Sequence, residues 1–138
     1  MDWEKSSPLY ELDGCLVVPF DQGTNAVNVG ALRRETLDRM ANTGLMDVIL
    51  DMSSLPILDR KTFQMIDEMA RMIEAMGGGA VFTGIQPGVA TIMVDMNVDT
   101  EAISAAYSIK ESVLYFRTKQ GRSESLPADE ESFGGIGY

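Results

Sequence analysis

The chain has 138 residues, 21 acidic against 11 basic side chains, a formal net charge of −10, no histidine and one cysteine. This size suits one domain with a real core, and a hydrophobic fraction of 45% belongs to a globular chain. Nucleic-acid binding needs clustered cations, and only Arg33-Arg34 and Arg60-Lys61 adjoin, so no nucleic-acid partner is expected. The lack of histidine removes the commonest general base and metal ligand, and a lone cysteine excludes an internal disulfide and a multi-cysteine zinc site, so no metal and no cofactor are expected. No apolar run approaches the ~20 residues that cross a bilayer, and the first residues lack a secretory pattern. The expected protein is cytoplasmic and does not engage membranes.

Residues 1–8 end in Ser6-Ser7-Pro8 and read as a flexible start. Two apolar runs, Leu9–Leu12 and Cys15–Phe20, flank Asp13-Gly14, a two-residue hairpin signal. Cys15 within its run reads as a small buried hydrophobe, and Pro19 marks an edge or the end of a strand. Asp21–Asn25 is a loop. From about Val27 to Ala41, Val29, Leu32, Thr36, Leu37 and Met40 follow helical spacing, and Asn42-Thr43-Gly44 supplies a stop. Val48–Leu50 is a short continuous apolar run, as in a covered strand.

The next helix has the clearest signal. Phe63, Met65, Ile66, Met69, Ala70, Met72, Ile73 and Met76 fill about half of a 100° wheel, and Lys61, Gln64, Asp67, Glu68, Arg71 and Glu74 fill the rest. Asp59 is placed as its N-cap, and Gly77-Gly78-Gly79 ends it. The methionines suit a core, but the arc is wider than one sheet face needs, which leaves part of it for a partner. Ala80–Thr83 reads as a strand, and Pro87 suits the first turn of a helix carrying Val89, Ile92, Met93 and Met96. Ile103–Tyr107 is a weak strand signal. Ser108 and Glu111 have capping-box spacing and open a last helix through Phe116. The Gly-, Ser- and acid-rich remainder reads as a disordered acidic tail over 118–138. Strands alternate with helices after the hairpin, which predicts an α/β fold, a mixed β-sheet with helices mainly on one face.

The order strand, loop, helix, strand, loop, helix over residues 48–87, with Leu58-Asp59 and Thr83-Gly84-Ile85-Gln86-Pro87, resembles the STAS domain of anti-sigma factor antagonists, and among these the small scaffold proteins of the bacterial stressosome. The resemblance covers about 9–117 and implies the same mixed sheet. It also implies a non-catalytic signalling protein that docks to a serine (switch) kinase, an anti-sigma factor or other STAS proteins, as a homo- or hetero-oligomer. In that family a Ser or Thr after the Asp at the helix start is phosphorylated. Here that position is Arg60. Asp59, Arg60, Lys61 and Thr62 are therefore the expected docking residues. Arg60 reads as a contact for an acidic partner, as part of an anion site with Lys61, or as an idle surface residue where regulation was lost.

The remaining hydroxyls match the family acceptor poorly. Ser53 and Ser54 precede Asp59, and Thr62 falls on the apolar side of the wheel, so all three are weak phosphorylation candidates and ordinary turn or helix-start residues. Some stressosome relatives carry a second acceptor threonine in the following helix; the matching position is Ile92, one past Thr91. The alternative function is a STAS module that binds a nucleotide or other small anion, with Ser54, Gly84 and Gln86 as candidate contacts at a strand-to-helix turn. Gly84–Gly88 lacks the Gly-Lys-Ser/Thr of a phosphate-binding Walker loop. The carboxylates form no catalytic or metal spacing, so no enzyme is expected.

Overall fold

Asp13 and Gly14 both adopt positive φ, at 50° and 82°, the backbone of a tight two-residue turn between antiparallel strands. The structure, a computed structural model, describes residues 8–98, 105–106 and 108–121. The turn joins β1 (Tyr10–Leu12) to β2 (Cys15–Pro19). The chain continues as α1 (Ala26–Thr43), β3 (Asp47–Asp51), α2 (Arg60–Ala75), β4 (Gly79–Thr83), α3 (Pro87–Asp95), β5 (Ala105–Ala106) and α4 (Ile109–Gly121).

The sheet order is β1-β2-β3-β4-β5, antiparallel at the hairpin and parallel thereafter. Val17, Ile49 and Val81 share one register row, and Val18, Leu50 and Phe82 share the next. Because successive strand residues face opposite sides, these two rows serve two cores. Leu16, Val18, Val48, Leu50, Ala80 and Phe82 meet α1, α2 and α3. Cys15, Val17, Ile49 and Val81 meet Val113 and Phe116 of α4. Covered on both sides, β2 to β4 are continuous apolar runs rather than alternating ones. Three helices thus lie on one face and one on the other.

The central helix behaves as its pattern requires. Phe63, Ile66, Met69, Ala70 and Ile73 are buried, and the Phe63 ring lies 6.4 Å from that of Phe82. The arc is indeed wider than the contact, since Met72 and Met76 remain 40% and 47% exposed. Cys15 is buried, and burial first, then the charges of Asp47 and Asp13, push its thiol up, away from the reactive thiolate.

Helix boundaries differ from the sequence reading. α1 is longer by a residue or two at each end, because Asn25 caps it by accepting from the Asn28 amide and the Gly44 amide closes it onto the Met40 carbonyl. The described part of the last strand is Ala105–Ala106, inside the expected Ile103–Tyr107; Ile103, Ser104 and Tyr107 lie outside the described residues. α4 opens with the Glu111 amide on the Ser108 hydroxyl, as its capping spacing requires, but continues beyond Phe116 to Gly121. Lys119 lies over the Tyr115 ring at 5.7 Å, a contact between successive turns that supports the extension. The expected flexible start up to Ser7 and the tail from residue 122 lie outside the described residues.

Candidate functional site

The parallel strands all end at one edge of the sheet, and there the helices that follow them begin. Open α/β sheets place ligands and partners at this edge because helix N-termini and loops converge on it. Asn25 heads α1 and Asp59 heads α2. Each side-chain oxygen accepts an amide of its own first turn, from Asn28 at 3.0 Å and from Thr62 at 2.7 Å. The hydrogen bond from the Thr62 amide, then that from the Thr62 hydroxyl, hold the Asp59 carboxyl below its ordinary range.

Between these two starts runs an open groove of about 910 Å³, lined by Asn25–Asn28, Asp59–Thr62 and Ile92 of α3. Its apolar lining consists of Ala26 and Ile92, both half-buried, and Val27, 81% exposed. Arg60 and Lys61 stand exposed on its rim, and among the described residues neither has an ion-pair partner. Two cations in the first turn of a helix oppose its dipole at a cost of roughly 0.3 kcal/mol each. The first turn of α2 holds no acidic residue, so the cap Asp59 is the nearest offset.

The four expected docking residues therefore come together, but unequally. Arg60 and Lys61 are exposed, Asp59 is engaged as the cap, and Thr62 is 1% exposed, its hydroxyl held by the Asp59 carboxylate. The sequence reading missed Asn25, Ala26, Val27 and Asn28 as groove residues. Asn25 before an apolar helix was a readable cap signal, but nothing local told that α1 and α2 begin side by side.

Ser54, Gly84 and Gln86 do not line the groove. Gly84 and Gln86 instead clamp the β3–α2 loop. The Gln86 side-chain amide donates to the Ser53 carbonyl, and Gly84, at φ 72°, lies so close to Ser53 that a Cβ there would sit 2.6 Å from the Ser53 Cβ. A Cβ on Gly88 would collide with the Pro56 carbonyl oxygen. Asp51 completes the brace, accepting from the Ser53 amide at 3.0 Å and the Ser53 hydroxyl at 2.7 Å. Ser54 is exposed in the turn closed by the Leu55 amide on the Met52 carbonyl. Through the Gln86 side chain and the missing side chains of Gly84 and Gly88, the turn holds the approach to α2. Thr91 donates to the Pro87 carbonyl, and its neighbour Ile92 faces the groove.

Among the described residues no three His, Cys, Asp or Glu side chains are grouped to hold a metal ion, and no helix is long and apolar enough to cross a membrane. Comparison with curated proteins gives no match. Among solved structures, a serine-to-glutamate variant of RsbS from Moorella thermoacetica is similar at 22% identity and a TM-score of 0.74, over 83% of this chain and 97% of that one. A chain from the molecular architecture of the stressosome, a signal integration and transduction hub, is similar at 22% identity and 0.74, over 82% and 98%. The anti-sigma factor antagonist SpoIIAA in its unphosphorylated form is similar at 14% identity and 0.64, over 79% and 94%. These likenesses establish the fold. The STAS domain profile matches residues 7–113, most of the chain, and with the mixed sheet and its helices in the order described, the chain belongs to the STAS domain family.

Proposed function

We propose that the chain is a non-catalytic, cytoplasmic signalling protein of the anti-sigma factor antagonist type. It docks through the α1–α2 groove to a switch kinase, an anti-sigma factor or other STAS subunits in a stressosome-like assembly. The observation that carries this reading is Arg60 itself. It is the first residue of α2, exposed, without an ion-pair partner, and directly after the capping Asp59, on the rim of a groove with apolar residues in its lining. The family's switch hydroxyl belongs at this position, and a guanidinium there cannot be phosphorylated. Of the neighbouring hydroxyls, that of Ser53 is engaged by Asp51 and Thr62 is buried, while Ser54 is exposed but precedes the cap Asp59 by five positions. The docking surface is therefore read as permanently cationic, suited to an acidic partner surface and not switched by phosphate.

Isothermal titration of the full chain with a serine kinase, an anti-sigma factor or a second STAS protein from the same genome tests this. Arg60→Ala should weaken binding, and Arg60→Glu should weaken it further, by roughly 1–3 kcal/mol in total. Equal affinities for all three would show an idle surface residue. Stoichiometric phosphate on Ser53, Ser54 or Thr62 after incubation with that kinase and ATP would refute the loss of the switch.

A further inference from the structure

We infer that Asp51 and Thr83 hold one buried water between them, at the C-terminal edge of the sheet and on the face that α4 covers. The Thr83 hydroxyl points to it. Among the described residues, Thr36, Thr62, Thr83 and Ser112 are the buried polar side chains. Thr36 donates to the Leu32 carbonyl at 2.7 Å, Thr62 bonds to the Asp59 carboxylate, and Ser112 donates to the Ser108 carbonyl at 3.0 Å. The Thr83 hydroxyl has no partner in the protein, and its oxygen is out of reach of bulk solvent. An unpaired buried hydroxyl destabilises a fold, so such groups are as a rule satisfied by protein atoms or by ordered water.

The register fixes what lies beside it. Thr83 is the partner of Asp51 on one side and of Ala106 on the other, and Asp51 is in turn the partner of Pro19. Side chains alternate along a strand, so this row leaves the sheet on the face of Val17, Ile49 and Val81, where α4 packs. Those three form the next row on that face and are apolar, as are Pro19 and Ala106. Within the two rows only the Asp51 carboxylate can pair with the hydroxyl. That carboxylate is half engaged. Its Oδ1 accepts the Ser53 amide at 3.0 Å and the Ser53 hydroxyl at 2.7 Å, and its Oδ2 has no partner among the described residues. Neighbouring strands lie about 4.8 Å apart, too far for a direct bond of about 2.8 Å and suited to one water bonded to each side. The water accepts from the Thr83 hydroxyl and donates to Oδ2, two of the two to four bonds that a buried water makes. A metal ion fits less well, because Asp51 stands in no group of three metal-ligating side chains among the described residues. Asp51 orients Ser53, whose carbonyl accepts from Gln86. The water adds β4 to this chain of bonds and makes Thr83 a positioning residue for the loop that leads into α2.

The test is a double-mutant cycle in the full chain, Thr83→Val with Asp51→Ala, read by thermal unfolding. Valine keeps the shape of threonine and removes the hydroxyl. Thr83→Val should lower Tm by about 4 °C in the wild-type chain and by less than half of that beside Asp51→Ala. Hydrogen exchange of the Ser53 amide should quicken several-fold in Thr83→Val, and that of the Asn28 amide, at the start of α1, should not. A Tm that rises in Thr83→Val overturns the inference, since valine then relieves an unpaired hydroxyl. So does a loss of equal size in both backgrounds, because Asp51 then takes no part. So does a loss seen in sodium or magnesium chloride and absent in tetramethylammonium chloride, because the occupant is then a cation. One measurement needs no variant. A crystal structure of the wild-type chain should show a water within about 3.2 Å of both Thr83 Oγ1 and Asp51 Oδ2. A direct bond between the two side chains, or another protein atom on the Thr83 hydroxyl, overturns the assignment.

Discussion

Replacing Gly84 by alanine tests whether the β4–α3 turn holds the start of α2. Two costs add. At φ 72° a side chain meets the penalty of left-handed backbone, about 1–2 kcal/mol. The new Cβ would also lie 2.6 Å from the Ser53 Cβ and 2.9 Å from its Cα, a backbone-anchored contact that cannot rotate away, and overpacking of this kind costs about 1–3 kcal/mol. Gly77 is the internal control: its φ is 93°, but nothing lies within 4 Å of an added Cβ, so Gly77→Ala carries the backbone cost alone. At roughly 4 °C per kcal/mol for a domain of this size, Gly84→Ala should lower Tm by about 8–20 °C and Gly77→Ala by about 4–8 °C. The assay is thermal unfolding followed by circular dichroism, with hydrogen exchange at the Thr62 and Phe63 amides. Exchange there should quicken in Gly84→Ala and not in Gly77→Ala. Equal Tm losses and unchanged exchange would refute the brace between Ser53 and the glycine turn.

Asp59 should make the domain pH-sensitive. Its folded pKa lies below the ordinary 3.8, so its contribution is present above that value and is lost as pH falls through the folded pKa. Asp59→Asn keeps a cap oxygen without titrating, and the Tm advantage of wild type over this variant should shrink as melts are taken from neutral pH to about 2.5; a constant difference would contradict the capping role. A chain ending at Gly121 should melt within a few degrees of the full chain, since residues 122–138 carry few large apolar side chains; a loss on the order of 10 °C would show that residues 122–138 belong to the core. Self-association should strengthen as salt rises from low to moderate levels, because a net charge of −10 repels copies and salt screens it within about 10 Å at 0.1 M, while exposed Met72 and Met76 offer apolar contact. Sedimentation velocity over a concentration series at two salt levels decides this; a strict monomer throughout leaves hetero-assembly alone.

What was legible in the chain was local or periodic. Asp13-Gly14 needs only its own backbone, Asp59 caps within three residues, and the stripe of α2 repeats over four turns. The ends that slipped were set by contacts outside a short window. Lys119 and Gln120 are good helix formers placed beside a polar, glycine-bearing run, and composition over that run concealed one more helical turn. The groove was not legible because it joins the heads of two helices and a side chain from a third. The Gly84-Ile85-Gln86-Pro87 segment is legible as a strand-to-helix turn, but the residue Gln86 holds, Ser53, is 33 positions away. Spacing identifies a turn; it does not identify what the turn grips.

The electrostatics of α2 favour a presented surface over an idle one. A helix start with no acid in its first turn and two cations in it accepts a small loss, and the dipole would be better served by almost any other pair of side chains. If this end had no task, fraying would relieve the conflict. Instead the end is fastened from four directions: Asp59 closes on Thr62, Asp51 holds Ser53, Gln86 holds the Ser53 carbonyl, and Gly84 and Gly88 let the neighbouring turn press close. Arg60 and Lys61 are among the side chains that this fastening leaves in solvent. On the docking reading proposed above, rigid support beneath unpaired cations lowers the ordering cost that an acidic partner segment would meet on binding.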